Sequence, residues 1–147
     1  MAVKQVSPEE AQRLIEAGCP YIDVRTEREF AAGHPAGAVN VPVLLPDQSG
    51  RLTQLNQDFL SVVDAIFSKG APVVLGCQSG MRSQRAADLL TQAGYQDVSN
   101  MQGGVGGGRD TSSGAAVAGW AAAGLPVSTQ SDETNAYAAL KQRGGAR

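Results

Sequence analysis

Two residues stand out for the chemistry that their types and spacing allow. Cys77 follows the apolar run Val73-Val74-Leu75-Gly76, and four residues, Gln78-Ser79-Gly80-Met81, separate it from Arg82. The β-prone run, a short glycine-bearing loop and then the helix-forming stretch 82–93 place the cysteine between the carboxyl end of a strand and the start of a helix. Backbone N–H groups of the loop converge there, and the positive end of the helix dipole faces the sulfur. Such surroundings favour a thiolate, the reactive form of cysteine. Gly80 lets the backbone turn sharply enough for successive N–H groups to aim at one point. A cation such as Arg82 is unfavourable at a helix N-terminus unless an anion offsets it. The pattern is that of a cysteine nucleophile in an anion-binding cradle.

Other polar residues read as support. Asp23 and Arg25 flank Val24 on an inner strand, where an unpaired charge is costly, so they are expected to hold loops together through hydrogen bonds or ion pairs. His34, between Gly33 and Pro35, is expected to be a turn residue satisfied by backbone groups. Arg85 reads as a surface residue, Cys19 lies in a turn after the first helix, and Trp120 is expected to anchor a last helix within residues 115–123.

The elements that position these residues are marked by their caps. Ser7, Pro8 and Glu10 open a first helix that Gly18 stops; Thr26 and Glu29 open a shorter one that Gly33 ends. Strands are expected at 21–24, 38–41, 72–76 and 98–101, and further helices at 56–69, 82–93 and 132–142, with 46–55 a polar connection. Strands alternating with helices imply an α/β fold with a mainly parallel sheet, in which ligands bind beyond the carboxyl ends of the strands. Residues 103–114 hold six glycines in twelve positions and should form a mobile or tightly turned loop. Residues 129–147 read as a polar extension lying loosely on the domain.

Composition narrows the classes. A chain of 147 residues with 42% hydrophobic and 18% charged residues fits one globular domain. A net charge of −2 with scattered basic residues argues against nucleic acid as a partner. No apolar stretch approaches the ~20 residues that span a bilayer, and the N-terminus lacks the apolar core of a signal peptide, so no membrane association and a cytoplasmic location are expected. In that compartment Cys19 and Cys77 should be free thiols. One histidine and two distant cysteines give no metal site.

Three segments together resemble the rhodanese family of sulfurtransferases. Tyr21-Ile22-Asp23-Val24-Arg25-Thr26-Glu27-Arg28-Glu29-Phe30 with Gly33-His34-Pro35-Ala36-Gly37-Ala38-Val39-Asn40-Val41-Pro42 is similar to its N-terminal signature. Cys77-Gln78-Ser79-Gly80-Met81-Arg82-Ser83 is similar to its active-site loop. Gly103-Gly104 and Trp120-Ala121-Ala122-Ala123-Gly124-Leu125-Pro126-Val127 are similar to its C-terminal signature. The match covers roughly residues 4–127 and departs in a long insertion beginning at Val105, which is expected near the mouth of the Cys77 site, tuning acceptor access.

The resemblance implies a three-layer rhodanese-like domain over residues 1–128, with about five short strands flanked by helices. It implies a thiosulfate sulfurtransferase that passes sulfane sulfur through a Cys77 persulfide to a thiol or cyanide, without a cofactor. Cys77 and Arg82 would be catalytic, Arg82 orienting a small sulfur-containing anion. Gln78, Ser79, Gly80, Met81 and Ser83 would meet the substrate, with Asp23, Arg25 and His34 as structural support. Phosphatases and arsenate reductases use a similar cradle, but with five residues between cysteine and arginine; the smaller loop goes with sulfur. A sulfur carrier or regulatory binding module acting through a protein partner is the contrasting class.

Overall fold

The two caps read from the sequence start the first two helices. In a computed structural model describing residues 3–110 and 113–143, β1 (Lys4–Val6) leads into α1 (Pro8–Glu16), where Ser7 and Glu10 form a reciprocal capping box. β2 (Tyr21–Asp23) follows, then α2 (Glu27–Ala32), capped in the same way by Thr26 and Glu29. The chain continues through β3 (His34–Pro35), β4 (Val39–Asn40), β5 (Leu44–Pro46), β6 (Leu52–Leu55), α3 (Phe59–Ile66), β7 (Val73–Gly76), α4 (Met81–Gln92) and β8 (Val98–Met101). It closes with β9 (Gly108–Arg109), β10 (Ala116–Val117), β11 (Val127–Ser128) and α5 (Tyr137–Arg143).

Five strands form one parallel sheet in the order β1-β8-β7-β2-β4. The fully buried Val73–Gly76 run takes the centre, as a strand covered on both faces must be apolar throughout. One face carries α3, α4 and α5, through Phe59, Val63, Ala86, Leu90 and Leu140. The other carries α1 and α2, through Ala11, Leu14 and Phe30, joined by Trp120. This is the expected three-layer α/β architecture, and it presents the carboxyl ends of β2, β7 and β8 along one rim.

Several local expectations are revised. Residues 4–6 form an edge strand on β8, since only three residues pair and two of them are exposed. The connection at 46–55 includes an antiparallel hairpin, β5 with β6. The helix expected within 115–123 is replaced by β10 and a run of turns, because Gly114 and Gly119 break the alanine-rich pattern. Trp120 is nonetheless fully buried, its indole N–H donating to the Pro126 carbonyl. The glycine-rich stretch pairs β9 with β10; Thr111 and Ser112 within it, and residues 144–147 of the C-terminal extension, lie outside the described residues. The extension is not loose: Tyr137 and Leu140 are buried in the core, and the Asn135 carbonyl accepts from the Asn40 N–H on edge strand β4. No helix among the described residues is long and apolar enough to cross a membrane.

Candidate active site

β7 delivers Cys77 to the sheet rim, and α4 begins at Met81 directly behind it. The Cys77 side chain is buried, with the residue 1% exposed. Its Sγ accepts from the Gly80 N–H at 3.1 Å and the Ser83 N–H at 3.3 Å, and the Ser83 hydroxyl oxygen lies 3.4 Å away. Gly80 makes this possible at φ +103°, a conformation that a side chain would strain. The loop curls around the sulfur with these N–H groups inward, and the helix dipole points the same way.

The loop carbonyls face outward and are held there by the glycine-rich segment. The Val105 N–H donates to the Cys77 carbonyl at 2.8 Å, and the Gly106 N–H to the Gln78 carbonyl at 2.8 Å. A Cβ at Gly104 would collide with the Cys77 carbonyl, one at Gly106 with the Gln78 side chain, and one at Gly108 with the Ser79 carbonyl. The glycines are therefore present for close approach, and the base of the insertion is a clamp on the Cys77 loop. Beside it lies a cleft of about 470 Å³ lined by Met81, Gln84, Asn100, Gln102 and Arg109, among others. Met81 projects into solvent at its rim, 79% exposed, and Ser79 is exposed next to it.

Arg82 does not stand free. Its guanidinium makes a bidentate pair with Glu29, Nη1 to Oε1 at 2.8 Å and Nη2 to Oε2 at 2.9 Å. Burial pushes the Glu29 carboxyl up, but hydrogen bonds from Arg82 and Thr26 together with the Arg82 charge outweigh it and hold the group at about 2. One carboxylate thus caps α2 and pins the start of α4. On sequence grounds Glu29 reads only as a cap, because its second partner is 53 residues away.

The support residues form a second buried pair. Arg25 Nη2 meets Asp23 Oδ2 at 2.8 Å and also the Gly33 carbonyl at 2.6 Å, while Nη1 reaches Gln78 Oε1 at 3.4 Å. Asn40 Nδ2 donates to the carbonyls of Asp23 and Arg25. His34 is buried, stacked on Phe30 with ring centroids 3.6 Å apart, its Nδ1 2.7 Å from the Phe30 carbonyl oxygen. The structure thus gathers Cys77, Gln78, Ser79, Gly80, Met81, Arg82 and Ser83 at one rim, with the Asp23–Arg25 pair touching the loop through Gln78. His34 is tied to α2. Asn100 on β8 escaped the sequence reading: an asparagine in a buried strand carries no local signal that its Oδ1 meets the Ser83 hydroxyl.

Comparisons with known proteins bear on the family and the fold. The rhodanese-like domain matches residues 7–110. The chain is 35% identical over 136 residues to thiosulfate sulfurtransferase 18 of Arabidopsis thaliana, spanning 91% of this chain and 90% of that protein. It is 39% identical over 122 residues to the chloroplastic thiosulfate sulfurtransferase 16 of the same plant, spanning 83% and 90%. Among solved structures, Rv0390 from M. tuberculosis superimposes with a TM-score of 0.67 at 27% identity, over 88% of this chain and 100% of that one. The Alr3790 protein from Anabaena sp. shares the fold with a TM-score of 0.62 at 20% identity, over 84% of this chain and 80% of that one. A cysteine at the end of a central parallel strand, a glycine-turned loop around its sulfur and these likenesses converge: the chain belongs to the rhodanese-like domain family.

Proposed function

We propose that the protein is a thiosulfate sulfurtransferase working by double displacement at Cys77. The Cys77 thiolate attacks the outer sulfur of thiosulfate; a new S–S bond forms, the old one breaks, and its electron pair leaves on sulfite. The outer sulfur of the Cys77 persulfide is then attacked by a thiolate or cyanide, and the Cys77 thiolate leaves. What supports the reading above all is the convergence of the Gly80 and Ser83 N–H groups on Sγ, which suits a sulfur that is a thiolate nucleophile at the start of the first displacement and a thiolate leaving group at the end of the second. Relatives named thiosulfate sulfurtransferase support the choice of thiosulfate as donor.

On this reading Gln78, Ser79 and Met81 meet the donor and acceptor at the loop rim, and Arg82 orients the anionic donor by giving up part of its pairing with Glu29. A protein thiol is included among the acceptors, since Met81 and Ser79 leave the rim open to a partner's surface. A reducing compartment, the cytoplasm, would keep Cys19 and Cys77 as the free thiols described. The deciding experiment is intact and peptide mass measurement after incubation with thiosulfate. One added sulfur on the Cys77 peptide, removed by cyanide as thiocyanate, is expected; no added mass, or a persulfide on Cys19, would overturn the reading.

A further inference from the structure

The hydrogen-bond count around Cys77 leaves one group with two uses. Ser83 is fully buried, and its Oγ lies within hydrogen-bond reach of both Cys77 Sγ and Asn100 Oδ1. The orientation of the Asn100 amide follows from its neighbours. The Gly80 carbonyl, 3.3 Å away, can only accept, so the atom facing it is Nδ2; that nitrogen also meets Gln5 Oε1 at 3.0 Å and Gln84 Oε1 at 3.3 Å. Oδ1 therefore faces Ser83. An amide oxygen has no proton, so the contact uses the single proton of the Ser83 hydroxyl. Toward Cys77 the hydroxyl then presents lone pairs, which suit an S–H donor and oppose a sulfur anion.

The charged groups around the sulfur leave discrimination to neutral donors. Arg82 on α4 is paired with Glu29 on α2, and Arg25 with Asp23, which ends β2. The Tyr21 hydroxyl on β2 is held neutral: burial foremost, then the charge of Asp23, push its pKa well above the usual tyrosine range. No charged side chain comes from β8, which contributes Asn100.

We propose that Ser83 is a two-position hydroxyl for the catalytic sulfur, accepting from the Cys77 thiol while bound to Asn100 and turning to donate to the thiolate or persulfide. Asn100 is the positioning residue that sets the cost of the turn. The proton released on forming the thiolate goes to solvent base; Ser83 only rotates its own. Asn100 lines the cleft beside the loop and touches Gln84 and Gln5, so whatever occupies that cleft bears directly on the balance between the two positions. The proposal deepens the sulfurtransferase reading but can be tested apart from it, because it concerns the sulfur itself.

The test is the rate of Cys77 alkylation by iodoacetamide at pH 7, resolved by peptide mass from Cys19, together with the rate of persulfide formation from thiosulfate. Ser83→Ala removes the donor and should slow alkylation about ten-fold or more, the usual loss for a hydrogen bond to a charged group. Ser83→Thr keeps the hydroxyl and should stay within about three-fold of the wild type. Asn100→Leu, similar in shape, frees the hydroxyl for the sulfur. It should raise alkylation above the wild-type rate, yet change nothing in a Ser83→Ala background, the non-additivity expected of a shared hydroxyl. An unchanged rate in Ser83→Ala, or equal slowing in Ser83→Ala, Ser83→Thr and Asn100→Leu, would overturn the proposal. If Asn100→Leu fails to fold, the Ser83→Ala and Ser83→Thr pair decides alone: a clear split supports it and equal rates sink it. Alkylation that follows the expected pattern without any sulfur loading would instead count against the sulfurtransferase reading.

Discussion

The two cysteines sit at opposite ends of one sheet and show what surroundings do to a thiol. Cys77 lies at the carboxyl end of β7, where N–H groups of the loop point at its sulfur. Cys19 lies at the amino ends of the strands, in a cleft with Lys4, Pro72 and Asp97. Its sulfur lies 3.6 Å from the Pro20 carbonyl oxygen, an acceptor, toward which it can only donate. Burial first, and then the Asp97 charge, push the Cys19 thiol up from its ordinary range. In an alternating β/α chain the helices start beyond the carboxyl ends of the parallel strands and finish beyond the amino ends. Strand direction therefore decides which cysteine meets the free N–H groups of a helix N-terminus and which meets helix-end carbonyls.

The largest test of that contrast is substitution of each cysteine. Cys77→Ser should abolish persulfide formation and thiocyanate production with the fold intact by circular dichroism, whereas Cys19→Ser should turn over at the wild-type rate. Turnover in Cys77→Ser, or its loss in Cys19→Ser, would break the comparison.

Next in size is the clamp that keeps the N–H groups aimed. Gly104, at φ +56° and against the Cys77 carbonyl, has no room for a methyl group, while a Cβ on Gly114 at the hairpin end would point into open space. Gly104→Ala should lower sulfur loading by about 100-fold, the loss that an ångström of misplacement causes in an active site. Gly114→Ala should leave loading unchanged and cost only about 1 kcal/mol of stability for its backbone conformation. Equal activities in thiosulfate–cyanide assays would show that the loop holds itself.

A smaller effect is expected from the pair beside the sulfur. Arg82→Ala should raise KM for thiosulfate roughly 10- to 100-fold, with the transfer half-reaction from pre-loaded persulfide nearly unaffected. Glu29→Gln keeps the cap on α2 and frees Arg82, so it should move KM the other way. Both variants raising KM alike would mean that the pair only props the loop.

The same carboxylate gives a pH signature. Its folded value of about 2 lies below the ordinary value of 4.5, so its contribution to stability is complete above about 4.5 and is lost as pH falls toward 2. Urea midpoints from pH 6 to pH 2 should fall more steeply for the wild type than for Glu29→Gln. Smallest of all, Cys19 alkylation should reach half its maximal rate at a higher pH than an unstructured cysteine peptide does.

Much of this was legible in local sequence because local rules produced it. The Ser7/Glu10 and Thr26/Glu29 spacing specified both capping boxes, and the apolar run ending in a glycine-bearing loop placed Cys77 at a strand end. What escaped depends on partners remote in sequence. β1 is three residues long and is a strand only because β8 lies beside it. The Arg82–Glu29 pair and the Ser83–Asn100 contact join residues on different elements, with no periodicity to announce them. The glycine-rich stretch suggested a mobile or tightly turned loop; it is tightly turned, and what the sequence did not announce is that Gly104, Gly106 and Gly108 are small because the Cys77 loop presses on them.

The docking of α5 has a consequence for the order in which the molecule is built. The family-matching segment ends at residue 110, and the reactive loop is finished well before it. On the α3/α4 face the core is completed by Tyr137 and Leu140, and among the described residues it is the Asn135 carbonyl that meets the N–H of Asn40 on the β4 edge. During synthesis the nascent chain therefore carries its nucleophile before its interior is complete, with a bare strand edge open to intermolecular pairing. Chains stalled or clipped ahead of residue 135 should be the ones that aggregate, even though they contain every residue assigned to sulfur chemistry.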